Sequence, residues 1–410
     1  MTSKTYKNKE NTRKNRKTRK TSTGKGLSKM LPNNTPTNVS KISQQIKDEI
    51  QETKSYSPSI NELLVPLQSL TRESITDCNA ENAFLLKEPI KIGVPYNNNN
   101  NNNNNKCLYY YEPQAKQFLL KNLAANKHIN PNKIITPMQS ESNCWFNTMF
   151  VSLFISDKGR KFFHFFRQLM IEGSQSNGTP VPDKVKNGLA LLNYAIELCL
   201  TGNEYAYRID TNAIIKDLYE TIPNEYKEKL PYLAYIREAG NPIRYFGSLI
   251  YYLHNKSLDL LFISDATDKW KQLIREKMEK KTKQVTKQVN THVNTRVSPH
   301  VIILEFFDED SNTVTNKPTH FTVNNNKYAL DSCIIRNTKR HHFSSLLTCE
   351  KTEMAYDGMS FSRLVKMDWK KKINTDFTWR FEGSTDSTNK KLLEWNFLNG
   401  YQMLVYYRVK

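Results

Sequence analysis

A single cysteine, Cys144, stands at the start of an apolar stretch within residues 137–155. The large apolar residues after it recur at spacings of one, three and four, which is typical of a helix buried on one side. They are Trp145, Phe146, Met149, Phe150, Leu153 and Phe154. The first turn of a helix favours a thiolate, because unpaired N–H groups and the positive end of the macrodipole meet there. The pattern therefore predicts a nucleophilic cysteine, while ordinary core packing explains a cysteine at this place equally well.

Two polar residues just before the cysteine are candidates to support this chemistry. Asn143 precedes it directly and is predicted to cap the helix. Gln139 lies five residues upstream, where its side-chain amide is expected to fold back beside the sulfur. With the Cys144 main-chain N–H, that amide would donate to the oxyanion of a tetrahedral intermediate.

A thiolate nucleophile needs a base and a third group that orients the base. His341 and His342 begin a predicted strand far downstream, and only one of them can face the helix, because neighbouring side chains on a strand point to opposite faces. Asp357 follows on the next predicted strand, where a hairpin would bring its carboxylate beside the imidazole. The competing carboxylates are interpreted as turn residues; they are Asp308, Asp310 and Asp331.

The elements around these residues predict an α+β fold. Helical patterns dominate residues 113–253, and short strand patterns follow from residue 298. Helices first and strands afterwards indicate an antiparallel sheet packed against an N-terminal helical half. Residues 270–297 form a charged stretch that ends in a degenerate tetrapeptide repeat. We interpret this stretch as an inserted arm or surface loop without chemistry.

Charge and composition divide the chain of 410 residues into three predicted regions. Residues 1–58 are predicted to be a disordered basic tail, and about half of the excess positive charge lies in residues 1–30. Such a tail suits a nuclear-import signal, a nucleic-acid-binding arm or simply a solvated terminus. Residues 59–111 are predicted to be an extension whose asparagine run, 97–105, is a loop or linker. Residues 112–410 form the predicted catalytic domain.

The cysteine pattern and hydropathy restrict the class of protein. None of the six cysteines forms a C-x-x-C pair, so the sequence indicates neither a zinc ribbon nor a regular disulfide framework. No apolar run reaches the roughly 18 residues of a membrane span. We therefore expect a soluble protein of a reducing compartment that does not bind a membrane.

These motifs together resemble the ubiquitin-specific protease family of papain-like cysteine peptidases. The first block pairs Gln139 with a cysteine that is followed by an aromatic residue and an asparagine. The second block matches Tyr328-Ala329-Leu330, His342-Phe343 and Asp357, and the final strand of the family matches residues 401–408. The likeness covers roughly residues 130–410. It favours His342 over His341, because the next residue is aromatic. The sequence departs from the family in having Gln139 where an asparagine is usual, and His341 where a glycine is.

The resemblance implies a papain-like fold and a thiol-dependent ubiquitin hydrolase that needs no cofactor and no metal. Cys144 would attack the carbonyl of the modifier's C-terminal glycine, His342 would move the proton, Asp357 would orient the imidazole, and Gln139 would stabilise the oxyanion. The implied partners are ubiquitin or a ubiquitin-like modifier and its conjugates. Nucleic acid is a further candidate through residues 1–30.

The expected location is intracellular, in a host cytoplasm or nucleus or in a virion. The intracellular part of this expectation follows from the cysteine pattern, and the host or virion part from the asparagine-rich, lysine-rich and isoleucine-rich composition, which is typical of AT-rich genomes such as those of giant DNA viruses or amoeboid eukaryotes. Two other functions stay open. One is a catalytically inactive, protease-like basic interaction protein, and the other is a papain-like protease that cuts peptide bonds in precursors.

Overall fold

The structure is a computed structural model. It describes residues 89–97, 103–125, 129–175, 177–203, 206–207, 209–254, 258–264, 266–289, 298–307, 315–337, 342–386 and 390–409. The predicted basic tail lies outside these residues, and so do the candidates His341, Asp308 and Asp310.

Nine α-helices occur in the described part of the chain. They are α1 (Pro113–Ala125), α2 (Cys144–Phe150), α3 (Asp157–Phe162), α4 (His164–Glu172), α5 (Asp183–Thr201), α6 (Thr211–Thr221), α7 (Asn224–Lys229), α8 (Pro242–Tyr252) and α9 (Trp270–Val289). A π-helical stretch, Val151–Ile155, directly continues α2. The predicted dominance of helices up to residue 253 is confirmed.

The described strands are mostly short and lie mainly in the second half of the chain. They are β1 (Lys91–Asn97), β2 (Asn103–Tyr109), β3 (Leu260–Ile263), β4 (Val301–Phe306), β5 (His320–Val323), β6 (Asn326–Asn337), β7 (His342–Cys349), β8 (Thr352–Tyr356), β9 (Leu364–Lys366), β10 (Thr378–Trp379), β11 (Trp395–Asn396) and β12 (Gln402–Arg408).

One large sheet, in the order β3-β4-β12-β6-β7-β8-β9 with β5 added beside β6, carries the second half of the candidate site. Its neighbours pair antiparallel except for β3 and β4, which run parallel. The predicted mixed fold with a mainly antiparallel sheet is therefore confirmed. Strand β12 lies between β4 and β6, and it pairs antiparallel with both of them.

The sheet is buried on both faces, which explains why several strands lack an alternating polar pattern. All eight residues of β7 and all seven of β12 are buried. On one face, apolar side chains of β4, β6, β7 and β12 pack against the indole rings of Trp270, Trp369, Trp379 and Trp395. On the other side, helices α2 and α3 and the π-helical stretch between them contact β6 and β7.

Our interpretation of residues 270–297 as an inserted arm or surface loop is wrong for residues 270–289. Residues 270–289 form helix α9, and Trp270, Ile274 and Met278 are buried in the core at four-residue spacing. One buried apolar residue in every four is enough to anchor the helix in the core, because each contributes a large side chain to the same face. The later part of the tetrapeptide repeat lies outside the described residues.

The asparagine run is also only partly a loop. Asn97 ends β1 and residues 103–105 begin β2, with Asn97 paired to Asn103 in the antiparallel register. Ile90, Ile92 and Leu108 are buried, and the hairpin packs on α1. Apolar residues that flank the run therefore place its two described ends in paired strands, which composition alone does not reveal.

Within the described ranges, every helix is too short or too polar to cross a lipid bilayer.

Candidate active site

Cys144 is the first residue of α2, as the apolar pattern predicted. Behind it, Trp145 and Phe146 are almost completely buried and contact the ring of Tyr245 on α8, with centroid distances of 4.8 and 5.8 Å. The Cβ of an alanine at position 240 would lie 2.3 Å from the Trp145 indole, so the chain before α8 can approach only as glycine. This packing fixes the helix start, and the Cys144 side chain stays partly exposed.

A buried hydrogen bond joins the cysteine helix to the sheet. Ser152, in the π-helical stretch, and Ser345, on β7, lie with their hydroxyl oxygens 2.6 Å apart, and both side chains are inaccessible to solvent. A hydroxyl pair in an apolar contact fixes position more strictly than apolar packing does, because a shift leaves two buried polar groups unsatisfied. The bond therefore sets the place of α2 along the strand that carries His342.

Asn143 does not cap the helix, which corrects our prediction. Its side-chain amide instead donates to Thr211 Oγ1 at 2.8 Å, and that hydroxyl donates to Asn147 Oδ1 at 2.7 Å. The Asn147 amide then donates to the main-chain oxygen of Met138 at 3.3 Å. These hydrogen bonds between α2 and α6 hold the segment before the cysteine in place. The Asn143 side chain therefore stabilises that segment and does not cap the helix.

Gln139 lies on a segment that is hydrogen-bonded to the loop after β8. Its N–H donates to the Gly358 carbonyl at 2.9 Å, and the Tyr356 hydroxyl donates to the Pro137 carbonyl at 2.8 Å. Gly358 approaches so closely that an added Cβ would lie 3.1 Å from the Gln139 main-chain nitrogen. The Gln139 side chain is half-buried, and its Oε1 is buried without a hydrogen-bond partner among the described residues.

His342 is the residue that joins the two halves of the candidate site. Its Nε2–H donates to Asp357 Oδ1 at 2.7 Å, and the Cys144 side chain lies close enough to influence the pKa of the imidazole. Burial by itself lowers the pKa of His342, but the Asp357 carboxylate and the Cys144 sulfur outweigh it and raise the pKa to about 10. The imidazole is therefore held as an imidazolium at neutral pH.

Asp357 follows β8 directly and is completely buried. Besides His342, its Oδ1 accepts from the Met359 N–H at 3.2 Å, and its Oδ2 accepts from the hydroxyl of Ser384. The carboxylate thus has a donor for each oxygen, which is what a buried ionised group requires. With Cys144 and His342, Asp357 completes a series of thiol, imidazole and carboxylate drawn from three separate elements.

Two residues beside this series escaped our sequence reasoning. Ser384 donates to the carboxylate, and the Trp395 ring lies against the imidazole with centroids 5.7 Å apart. No spacing rule singles out one serine among many, because Ser384 reaches the site from a loop 27 residues beyond Asp357. Trp369 and Trp379, for which we expected core packing rather than a place beside the site, belong to the same buried core cluster as Trp395.

Asp331, interpreted as a turn residue, lies instead within β6. Its carboxylate accepts from the N–H groups of Lys158 and Gly159 at 3.0 Å each, so it caps the start of α3. A buried carboxylate at a helix N-terminus compensates the unpaired donors there. Asp331 therefore has a structural partner of its own and does not compete with Asp357 for His342.

The other described free cysteines differ from Cys144 in their surroundings. Cys199, Cys333 and Cys349 are completely buried, and burial raises the pKa of each thiol, to about 12 for Cys333. Thiols of this kind are poor nucleophiles at neutral pH. Cys333 and Cys349, on β6 and β7, are therefore core residues.

Comparison with known proteins gives little further information. No family model and no curated protein matches the chain. The fold is similar to a solved structure described as the crystal structure of an essential yeast splicing factor, at 12% sequence identity and a TM-score of 0.28. The likeness covers 75% of this chain and 82% of that chain. At this TM-score we derive neither fold nor function from it.

Proposed function

We propose that this protein is a papain-like, thiol-dependent isopeptidase that removes ubiquitin or a ubiquitin-like modifier from lysine side chains. The observation that supports the proposal is the position of His342 between Cys144 and Asp357. A thiol next to an imidazole that is oriented by a carboxylate is the arrangement that activates a cysteine nucleophile. The choice of a ubiquitin-like modifier rests on the resemblance of the sequence motifs.

In the resting site the proton belongs to the imidazole. Because Asp357 occupies Nε2 of His342, the other ring nitrogen, Nδ1, is left for the Cys144 sulfur. The raised pKa of His342 favours an imidazolium, and a neighbouring positive charge favours the thiolate.

The reaction proceeds in two steps. The Cys144 thiolate attacks the carbonyl carbon of the modifier's C-terminal glycine, and His342 Nδ1 gives its proton to the departing lysine amine as the carbon–nitrogen bond breaks. Water then attacks the thioester and gives a proton to Nδ1, and the thiolate leaves. The modifier's carboxylate is the second product, and the site returns to its starting protonation.

The oxyanion of each tetrahedral intermediate needs donors close to the sulfur. The Cys144 N–H is at the first position of α2, where helical geometry provides no internal acceptor. Gln139 is the second proposed donor, through its side-chain NH2 group, because its segment is fixed to the Asp357 loop by the bond from its N–H to the Gly358 carbonyl. One such donor contributes about 10² to 10³ in turnover.

The decisive experiment treats the full chain with ubiquitin that carries a C-terminal electrophile. We expect a covalent adduct whose peptide map locates the bond on Cys144, and none for Cys144→Ser, which keeps the shape and removes the thiolate. Parallel probes built on other ubiquitin-like modifiers identify the modifier. A folded wild-type protein that forms no adduct with any of them overturns the proposal.

The same preparation separates the alternatives. A precursor protease would cleave unmodified peptides and leave ubiquitin amides intact. A basic interaction protein is favoured by the concentration of positive charge in residues 1–30. It would bind nucleic acid in a salt-sensitive manner that survives Cys144→Ala and is lost when those residues are deleted.

A further inference from the structure

A segment beyond the predicted motifs lies directly behind the candidate site. Its described residues are 381–386 and 390–395, and they provide both the indole that packs on His342 and the hydroxyl that reaches Asp357. The proposed reaction does not use these side chains directly. Their contacts with two of its three reacting or orienting groups require a separate explanation.

Ser384 is held so that its hydroxyl has one direction. The side chain is completely buried, its N–H donates to the Phe381 carbonyl at 3.2 Å, and its carbonyl accepts from the Leu393 N–H at 2.9 Å. The preceding turn needs a glycine, since Gly383 has φ of +87° and an added Cβ would lie 2.7 Å from the Phe361 ring. The backbone is therefore fixed on both sides of the hydroxyl.

The hydrogen bonds of the carboxylate show what Ser384 contributes. His342 and Met359 both donate to Oδ1 of Asp357, whereas Ser384 donates to Oδ2. Without the serine hydroxyl, Oδ2 would be buried with no donor among the described residues. An ionised oxygen in that situation is strongly disfavoured, and the carboxyl group either takes up a proton or turns away from the imidazole.

We infer that Ser384 is a positioning residue for the proposed reaction, which directs the Asp357 carboxylate at His342 through its bond to Oδ2 and so keeps the imidazole oriented for Cys144. The inference rests on the proposed function. It assigns Ser384 no contact with substrate; the serine acts through Asp357 and then through the imidazole.

The chain offers a matched control on the loop that carries Asp357. The Ser360 hydroxyl also donates to Asp357, but to its main-chain carbonyl, at 3.0 Å, and the side chain is buried. Ser360→Ala therefore removes the same group from the same neighbourhood without touching the carboxylate. An effect that is seen in Ser384→Ala but not in Ser360→Ala is therefore caused by the lost hydrogen bond to the carboxylate. It is not caused by the loss of a buried hydroxyl as such.

The test measures alkylation of Cys144 by iodoacetamide from pH 5 to 10, located by peptide mass, and needs no substrate. We expect Ser384→Ala to lower the rate at neutral pH roughly tenfold relative to its own rate at pH 10, because one charge-assisted hydrogen bond is lost. Ser360→Ala should keep the wild-type profile. If Ser384→Ala does not fold, Ser384→Cys retains the side-chain length with a weak donor, and it should lower the neutral rate by a smaller factor.

The outcomes separate this inference from the proposed function. Equal profiles for wild type, Ser384→Ala and Ser360→Ala, with the thiolate present at neutral pH in all three, overturn the role of Ser384 and leave the isopeptidase proposal standing. A wild-type Cys144 that reacts only as an ordinary thiol, with a midpoint near pH 8.5, overturns the isopeptidase proposal itself.

Discussion

Nε2 of His342 lies 2.7 Å from Oδ1 of Asp357, although His342 begins β7, Asp357 follows β8, and the two residues are 15 positions apart. The pairing of β7 with β8 sets this distance, since Ser345 is opposite Tyr356 and Asp357 is the next residue. The bond determines which imidazole nitrogen carries the fixed proton. It also leaves Nδ1 as the nitrogen available to the Cys144 sulfur. Each prediction about catalysis below depends on this assignment of the two ring nitrogens.

Asp357→Asn should reduce turnover by about 10² to 10⁴ with little change in apparent substrate affinity. The amide retains the shape but removes the negative charge that holds the His342 proton. The measurement is kcat and KM on a ubiquitin amide substrate. Asp368→Asn, at an exposed carboxylate, is the control and should match wild type. Equal turnover in Asp357→Asn and wild type would argue against an orienting role.

The stability conferred by His342 should depend on pH. Its pKa in the folded protein is raised to about 10, whereas an unfolded histidine has a pKa of about 6.5. A raised folded pKa means that the stabilisation is complete below the unfolded pKa and is lost as the pH rises through the folded one. The difference in Tm between wild type and His342→Gln should therefore be larger at pH 6 than at pH 10. A difference that stays constant over this range contradicts the linkage.

Gly240→Ala should destabilise the protein by about 1–3 kcal/mol, because the new methyl group overlaps the Trp145 indole. Movement of Trp145 also displaces Cys144, so the rate of Cys144 alkylation should fall as well. The control is Gly247→Ala on α8, where the nearest atom is a Phe262 ring carbon at 3.6 Å. That substitution should be neutral or stabilise by up to about 1 kcal/mol, through helix propensity. The free energies of unfolding of both variants, measured by urea denaturation, test this prediction.

Glu197→Gln should cost about 3 kcal/mol of stability, since it leaves the Arg167 guanidinium charged and buried without its carboxylate. Both side chains are completely inaccessible and form an ion pair between α4 and α5. The exposed pair of Lys371 and Asp368 provides the comparison, and Asp368→Asn should change the free energy of unfolding by less than about 1 kcal/mol. Similar losses in the two variants would show that burial does not determine the effect.

Local patterns predicted the elements that carry the candidate site better than they predicted its support. The apolar spacing after Cys144 predicted a helix and residues 341–349 predicted a strand, and both elements form where expected. Strand β3 was missed, because four residues carry too little pattern. Ser384 was missed for a different reason, since the hydrogen bond to Asp357 depends on how a distant loop folds back.

The failure at Asn143 has the same origin. An asparagine before a helix is a good local capping signal, but here Thr211, from another helix, offers a buried acceptor. Tertiary partners of this kind leave no trace in the spacing of residues along the chain. The asparagine run and α9 were misread in the same way, because flanking apolar residues and three large side chains outweighed the polar composition.

The position of β12 between β4 and β6 has a consequence for synthesis on the ribosome. A growing polypeptide that has already exposed Cys144, His342 and Asp357 still lacks the strand that closes the middle of the sheet, and it gains that strand only with residues 402–408. The nascent chain is therefore expected to complete the sheet that carries His342 only after translation has passed that strand.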